Sequence, residues 1–180
     1  KALVIDDASP DGTGQLAQSL SSAYGGRIQV LSRPRKLGLG SAYAAGYHTA
    51  LETGASVIVQ MDADLSHPPE VLPEMLKHMN QYDIVIASRY VPGGGVDPSW
   101  GLSRRLLSQG GNAYARLVTG IPVRDSTSGF RCFRGEALRK LDLREFKCQS
   151  FAFQVEIAYY CWKAGLSIYE APYVFRDRSH

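Results

Sequence analysis

Short apolar runs recur along the first half of the chain, at residues 2–5, 28–31, 57–61 and 84–87. Such runs, separated by turn-forming residues, predict β-strands. The run at 57–61 is continuous, which is typical of a strand that is buried on both faces of a sheet. We therefore expect a sheet of at least four strands from this half of the chain.

Helical spacing separates these runs. Leu16 and Leu20 fall on one face of a first helix, small residues fill a second helix over 42–51, and Pro68-Pro69 open a third that continues to residue 79. Strand and helix thus alternate four times before residue 90. This alternation predicts an α/β fold with a parallel sheet and helices on both of its faces.

The second half of the chain is less regular. A loop rich in proline and glycine covers 91–100, and helices are predicted over 104–118 and 153–163. A short strand is predicted at 129–133, and an extended segment at 167–175 that Pro172 interrupts. Because no internal repeat or linker is visible, we expect one domain over residues 1–180.

Composition and charge narrow the class of protein. The 180 residues are 44% hydrophobic and carry a formal net charge of +3, which is too small to indicate a nucleic-acid partner. Cys132, Cys148 and Cys161 are odd in number and widely spaced, so they predict reduced thiols rather than a disulfide or zinc framework. No stretch without Asp, Glu, Lys or Arg, including that at 37–51, is longer than 15 residues, which is fewer than a membrane-spanning helix needs.

Two acidic clusters follow predicted strands. Asp6-Asp7 comes after the run at 2–5, and Asp62-Ala63-Asp64 comes after the run at 57–61. Ligands of parallel α/β sheets bind where the strands end, and residues two apart in an extended segment point to the same side. Two carboxylates held together favour a hard cation such as Mg²⁺ or Mn²⁺ between them. The alternative is that these aspartates only cap turns and helices.

Five ordered motifs carry a resemblance that covers nearly the whole chain. They are Val4-Ile-Asp-Asp-Ala-Ser-Pro-Asp-Gly-Thr13, Lys36-Leu-Gly-Leu-Gly40, Met61-Asp-Ala-Asp-Leu-Ser-His-Pro-Pro-Glu70, Ser88-Arg-Tyr90 and Asp125-Ser-Thr-Ser-Gly-Phe-Arg131. With these motifs the chain resembles glycosyltransferase family 2, in the branch that glycosylates polyprenyl phosphates. The resemblance implies a GT-A fold, which is a Rossmann-like, mostly parallel sheet with helices on both faces.

The resemblance also implies an activity. A member of this branch moves mannose from GDP-mannose to dolichyl or another polyprenyl phosphate, with inversion and with Mg²⁺ or Mn²⁺. The alternative donors are UDP-glucose and other nucleotide sugars. Such a protein is expected at the cytoplasmic face of a membrane, held there by an anchor subunit or a downstream transmembrane segment. The family's first strand and its Pro-x-Tyr-Asn-Glu motif are absent here, so we expect a fragment that lacks the N-terminal strand and is truncated at both ends.

Site roles are implied by position. The residues matching the nucleotide-sugar site are Val4, Asp6, Asp62, Ala63, Asp64, Arg89 and Arg178. Asp62 and Asp64 match metal ligands, and Ser66 stands where some relatives have a metal-contacting Gln. Asp64 and Arg89 are the expected catalytic residues, while Arg104 and Ser108 match positions near the acceptor phosphate.

Physical chemistry agrees with this set of residues. A phosphate monoester is already anionic near neutral pH, because its second pKa is roughly 6, so it needs little help from a general base. It needs cations to approach a diphosphate of the same sign, and arginine forks suit phosphate oxygens. His67, between Ser66 and two prolines, is better explained as the start of a helix than as a base.

Three other classes of protein share parts of the pattern. A phosphoacceptor receiver module also has paired aspartates after its first strand, but its late strand leads to a lysine, whereas here Ser88-Arg89 follows the run at 84–87. A haloacid-dehalogenase-like phosphatase carries its DxD after the first strand, not at residue 62. A non-catalytic module that binds sugar nucleotides stays open, since a sequence does not show turnover.

Overall fold

The computed structural model describes residues 1–144 and 146–177, and its first unit is a parallel pair of strands. Strand β1 (Ala2–Asp6) pairs with β2 (Ile28–Ser32), and helix α1 (Thr13–Ala23) connects them. Helix α2 (Leu39–Glu52) then packs on β1. Gly46 favours this close approach, because a Cβ atom there would displace the terminal methyl group of Ile5.

A four-stranded mixed sheet forms the centre of the fold. Its strands, in spatial order, are β3 (Val57–Gln60), β6 (Arg131–Arg134), β4 (Ile84–Ser88) and β7 (Ile168–Pro172). β4 and β7 are parallel, whereas β6 runs antiparallel to both of its neighbours. The predicted α/β class is therefore confirmed, with one antiparallel strand inserted between β3 and β4.

Shorter elements complete the described chain. They are a 3₁₀ turn (Pro69–Val71), α3 (Leu72–His78), β5 (Gly95–Val96), α4 (Leu102–Thr119), α5 (Gly135–Arg139), α6 (Ala152–Lys163) and β8 (Val174–Phe175). β5 and β8 form a small parallel ladder beside the main sheet. The α5 helix and the β5 strand were not predicted from the sequence, because both are too short to show a period.

Apolar side chains cover both faces of the main sheet, as the prediction of helices on both sides requires. On one face, Tyr47 of α2 and Ile157 of α6 pack with the β-strand residues Ile58, Ile84 and Phe133. On the other face, the buried residues are Met75, Met79, Val85, Ala87, Phe130, Cys132, Ala171 and Tyr173. The sheet is thus the middle layer of a three-layer structure.

An open cleft separates the β1–β2 pair from β3, an edge strand of the main sheet. Its volume is about 480 Å³, α2 contributes to its lining, and no strand pairing joins β1 to β3 among residues 1–144 and 146–177. Val59 and Met61 line it and are each 37% exposed, so the prediction that the run at 57–61 is buried on both faces is wrong. The reason is that β3 is an edge strand of the main sheet within the described residues, and it borders the cleft.

Candidate active site at the strand ends

The loop after β3 presents the two predicted metal ligands. Asp62 Oδ1 accepts a hydrogen bond from the Tyr43 hydroxyl at 2.8 Å, and the Asp62 N–H donates to Nδ1 of His67 at 2.9 Å. Asp64 Oδ1 accepts from the N–H and the hydroxyl of Ser66, at 3.1 and 2.5 Å. Both carboxylates are half-buried, so the loop holds them in place at the sheet edge while leaving part of each accessible.

The same loop contains a strained residue. Leu65 has a φ of 65°, in the left-handed region that a branched side chain rarely occupies, and its side chain is 71% exposed. Such a conformation costs on the order of 1–3 kcal/mol and persists only where its surroundings hold it. Here the Ser66 contacts to Asp64 close the turn around Leu65.

His67 is a buried support for this loop. It is only 3% exposed, and its ring stacks on Phe130 with centroids 5.2 Å apart. Burial lowers the pKa of His67, although the nearby charges of Asp62 and Asp64 act in the opposite direction. The neutral ring accepts the Asp62 N–H through Nδ1 and therefore carries its proton on Nε2. This position favours the structural interpretation of His67 over the role of a base.

The donor set fits a metal ion that is shared with a substrate. Among the described residues, no three His, Cys, Asp or Glu side chains form a complete metal cage. Mg²⁺ is commonly held by one or two carboxylates together with substrate phosphates, and Asp62 and Asp64 offer two hard oxygen ligands of this kind. Ser66 is 1% exposed and its hydroxyl donates to Asp64, so its role as a ligand stays a prediction.

Arg89 forms a buried fork with Asp125. The Arg89 Nε and Nη2 atoms donate to the two carboxylate oxygens at 2.8 and 2.6 Å, and the Arg89 N–H donates to the same carboxylate at 2.9 Å. Nη2 also donates to the Thr127 hydroxyl at 2.8 Å. The Asp125 side chain is fully buried and that of Arg89 is 9% exposed. Burial alone would lower the pKa of Arg89, but the hydrogen bonds and charge of Asp125 outweigh this effect, so the pKa of Arg89 is raised above its usual value.

This pairing restricts what Arg89 can do. Three of the five guanidinium donors are engaged, whereas the two N–H groups of Nη1 make no hydrogen bond within the described part of the chain. Asp125 fixes the plane of the guanidinium, so Nη1 has a defined direction for a further oxygen ligand. Because the partner carboxylate offsets the charge of Arg89, the pair acts on an anion mainly through oriented donors. The predicted roles of Arg89 in catalysis and nucleotide-sugar binding stay predictions.

The predicted acceptor residues lie on the first turns of α4. Arg104 pairs with Asp177 at 2.9 Å and stacks over Trp100, with its Cζ atom 3.9 Å from the ring centroid. Ser108 accepts a hydrogen bond from the Tyr90 hydroxyl at 2.6 Å. Arg104 remains half exposed in this arrangement. It is therefore positioned by its neighbours and still open to an anionic ligand.

Aromatic residues connect the acidic and basic parts of this edge. The buried His67 ring is joined to the DxD loop by the hydrogen bond from the Asp62 N–H. The Phe175 ring lies 6.2 Å from that of His67 and 5.8 Å from the Arg89 guanidinium. Carboxylates and arginines thus meet at one side of the sheet, as the strand-end argument predicts.

The remaining predicted residues are placed as follows. Val4 is half-buried in the middle of β1, and Ala63 is exposed beside Asp62. Asp6 ends β1 and is largely buried, with Oδ1 accepting the Ser9 N–H at 3.3 Å. Its predicted contact with the nucleotide stays a prediction. Arg178 lies outside the described residues.

Three supporting contacts were not predicted. Tyr43 orients Asp62, Asp125 orients Arg89, and Asn112 of α4 binds the 126–127 turn through both its oxygen and its nitrogen. Of the residues in these contacts, only Asp125 and the 126–127 turn stand in a motif that the sequence analysis identified, the one at 125–131. The partner of Tyr43 is 19 residues away and that of Asp125 is 36 residues away, so neither pair is visible as a local pattern.

No helix in residues 1–144 and 146–177 combines the length and the hydropathy of a membrane span.

Comparisons with known proteins identify the family of the chain. The chain is 43% identical over 177 residues to polyprenol monophosphomannose synthase of Mycolicibacterium smegmatis, covering 98% of this chain and 66% of the relative. It is also 43% identical over 176 residues to undecaprenyl-phosphate mannosyltransferase of Micrococcus luteus, covering 98% of this chain and 72% of that protein. The chain therefore spans about two thirds of the length of these curated relatives.

Solved structures support the fold. Glucosyl-3-phosphoglycerate synthase from Mycobacterium tuberculosis, in complex with Mn²⁺ and uridine-diphosphate-glucose, superposes with a TM-score of 0.63 at 19% sequence identity. The match covers 99% of this chain and 59% of that structure. At this identity the likeness concerns the fold, and it supports the GT-A architecture. The model for Glycosyl transferase family 2 matches residues 1–142, and the chain belongs to this family.

Proposed function

We propose that this chain is the catalytic unit of a polyprenyl-phosphate mannosyltransferase, with GDP-mannose as donor and Mg²⁺ or Mn²⁺ as cofactor. The observation that supports the proposal is that two half-buried carboxylates, Asp62 and Asp64, lie on the same side of the sheet as the oriented guanidinium of Arg89. The names of two relatives that are 43% identical give the same acceptor class and the same sugar.

The reaction needs a nucleophile, a leaving group and a means of bringing two anions together. An oxygen of the acceptor phosphate attacks the anomeric carbon of mannose. The bond from that carbon to the donor diphosphate breaks, the configuration inverts, and GDP leaves. Because the attacking oxygen is already anionic, no side chain has to remove a proton. This explains why the buried, neutral His67 is not required as a base.

Asp62 and Asp64 would hold the divalent ion against the donor diphosphate. When bound, the ion stabilises negative charge on the leaving diphosphate. Tyr43 and Ser66 keep the two carboxylates in position through the hydrogen bonds at 2.8 and 2.5 Å. Arg89 would direct its Nη1 donors to a phosphate oxygen, with Asp125 fixing the fork.

Arg104 and Ser108 would contact the acceptor phosphate. Arg104 is half exposed on the first turn of α4, and Ser108 lies one turn further on the same helix. A fixed arginine offsets the repulsion between the acceptor phosphate and the donor diphosphate. The cytoplasmic location and a membrane anchor belong to this proposal as predictions that follow from a lipid acceptor.

The decisive experiment is a transfer assay with purified protein, undecaprenyl phosphate in detergent and Mg²⁺. GDP-mannose and UDP-glucose are offered separately, and the glycolipid product is extracted and measured. We expect product from GDP-mannose and little from UDP-glucose. Product from UDP-glucose alone would assign a different sugar to the same fold, and nucleotide binding without any product would indicate a non-catalytic module.

Two variants divide the site into its metal and acceptor parts. Asp64→Ala should lower transfer by orders of magnitude, because an oxygen ligand and a charge are lost. The matched control Asp142→Ala removes an exposed aspartate that pairs with Arg144 and should transfer normally. Full activity of Asp64→Ala, or of the wild type in chelator, would exclude the metal role.

The acceptor assignment has its own test. Arg104→Ala should raise the Michaelis constant for the polyprenyl phosphate far more than that for the nucleotide sugar. Arg104→Lys keeps the charge but loses the planar fork, so it should restore only part of the loss. Equal effects on both substrates would contradict the placement of Arg104 on the acceptor side.

A further inference from the structure

A basic cavity lies beside α4 and is lined by residues of that helix and of the segment that follows β4. Its volume is about 730 Å³, and its lining includes Arg89, Arg116 and Arg124 together with Gln109. No acidic residue of the described chain lines it. Asp125 offsets the charge of Arg89, but Arg116 and Arg124 add two further cations to a lining that contains no carboxylate, which favours an anionic occupant.

Two of these arginines have no partner in the protein. The side chains of Arg116 and Arg124 make no hydrogen bond or ion pair within residues 1–144 and 146–177, in contrast to Arg89. The nearby Glu170 uses both of its carboxylate oxygens to accept the backbone N–H groups of Arg124 and Asp125. A cation in the last turn of a helix, such as Arg116 in α4, also stabilises the helix dipole. That role does not account for Arg124.

An exposed apolar surface of α4 borders the cavity. Arg116 and Gln109 lie on the cavity side of the helix, and Ala113, which also lines the cavity, lies at the boundary. Continuing around the helix, Leu106 and Leu117 are 59% and 84% exposed. The other exposed apolar residues of this surface are Leu102, Leu107, Tyr114 and Val118. The only buried residue of the whole helix is the polar Asn112.

A continuous apolar helix face next to unpaired arginines matches an amphiphile with an anionic head. We propose that Arg116 and Arg124 bind the phosphate headgroup of an anionic bilayer phospholipid, whose acyl chains lie along Leu106 and Leu117. Arg116 and Arg124 are different residues from the predicted acceptor residues Arg104 and Ser108, although the cavity adjoins the candidate active site through Arg89 and Tyr90. The proposal rests on the proposed function only in that a lipid acceptor brings the chain to a bilayer.

Charge complementarity selects this occupant over a neutral lipid or a second copy of the chain. A bilayer with anionic headgroups offers phosphates to the arginines and hydrocarbon to the leucines at the same time. A second copy of this chain would bring its own arginines to the same surface, where like charges repel. A free phosphate would satisfy the arginines but would leave the apolar face in water.

The test is binding to vesicles of phosphatidylglycerol and, separately, of phosphatidylcholine, measured by co-sedimentation. The double variant Arg116→Gln/Arg124→Gln should bind phosphatidylglycerol vesicles about 30-fold more weakly than wild type, since each basic residue near an anionic surface contributes about one factor of five. The matched control Arg27→Gln/Lys163→Gln removes the same charge from surfaces outside the cavity and should bind nearly as wild type. Leu117→Ser should also weaken vesicle binding without changing the affinity for inorganic pyrophosphate.

Each outcome decides the question. An equal loss in the two double variants would show general electrostatic attraction and overturn the site, as would no loss in either. Binding of pyrophosphate that needs both arginines, with no vesicle binding, would replace the lipid by a free anion. If the double variant unfolds, Arg124→Gln alone serves instead, because Arg124 lies exposed outside the helix. Mannosyl transfer in detergent is measured in parallel, so a failure of the proposed function is seen separately from a failure of this site.

Discussion

The buried Arg89–Asp125 fork should be the strongest single side-chain interaction at the candidate site. Removing one partner of a buried ion pair leaves an uncompensated charge and costs about 3–5 kcal/mol. The Asp125 side chain is fully buried and that of Arg89 is 9% exposed, so solvent screens neither group appreciably. We therefore expect Asp125→Asn and Arg89→Met each to lose stability within this range.

The double variant Arg89→Met/Asp125→Asn should cost clearly less than the sum of the two single changes. In the double variant neither half of the buried pair carries a charge, and the amide oxygen of an asparagine at 125 can still accept from the backbone N–H of residue 89 while its NH2 group faces the Thr127 hydroxyl. The coupling free energy should therefore reach about 2–3 kcal/mol, at the upper end for residues in direct contact. Total stabilities of about 5–15 kcal/mol leave all three variants measurable.

Urea unfolding followed by both circular dichroism and tryptophan fluorescence supplies the measurement. Coincident transitions and unchanged m-values are required before the free energies of unfolding are compared. Single-variant losses that simply add, with a coupling below about 0.5 kcal/mol, would refute the reasoning. In that case the Arg89–Asp125 fork would stabilise the protein no more than an exposed ion pair does, despite its burial.

Three further predictions concern the scaffold around the site. The Ser167 N–H and hydroxyl lower the pKa of Asp83 below its usual 3.8, so the stabilisation from the ionised Asp83 is present above pH 3.8 and is lost as the pH falls through the native pKa. Asp83→Asn should therefore lower the free energy of unfolding by about 1 kcal/mol at neutral pH and leave it unchanged in strong acid, as measured by urea unfolding at a series of pH values. Gly40→Ala should destabilise the protein by about 1–3 kcal/mol because the new Cβ atom would meet a backbone carbonyl, whereas Gly110→Ala, in open space within α4, should stabilise it by about 0.5–1 kcal/mol. Thermal melting compares the two variants, and equal shifts in melting temperature would contradict the close packing at Gly40. Cys148 should react with a thiol reagent in the native protein before Cys132, whose pKa burial raises to about 12; early labelling of Cys132 by peptide mapping would contradict its burial.

Local patterns predicted most of the regular elements but not their pairing. The runs at 28–31 and 84–87 became β2 and β4 within one residue, because a short apolar run between turns has few other structures open to it. That β6 lies antiparallel between β3 and β4 depends on contacts over more than 40 residues. Such pairing leaves no period in the sequence.

The site was predicted to the extent that its residues stand in motifs. Asp62 and Asp64 could be found because they follow a strand two residues apart, whereas their supports at Tyr43 and His67 needed the structure. For helix α4, the spacing of apolar residues does not say whether that face packs on the sheet. Leu117 and its neighbours are exposed, and only the three-dimensional contacts could decide this.

The separation of the β1–β2 pair from the main sheet also affects the free energy of local unfolding in each part of the protein. A pair of strands is marginal by itself, and β1 and β2 have half-buried or exposed residues except for Asp6, whereas every residue of β4 is buried. The amide hydrogens of the β1–β2 ladder should therefore exchange with solvent at a lower free energy than those of β4. Asp6 belongs to the predicted nucleotide-sugar site, so a donor that binds there would have to order the β1–β2 pair. Part of the intrinsic affinity of the donor would then appear as slower amide exchange in β1 rather than as tighter binding.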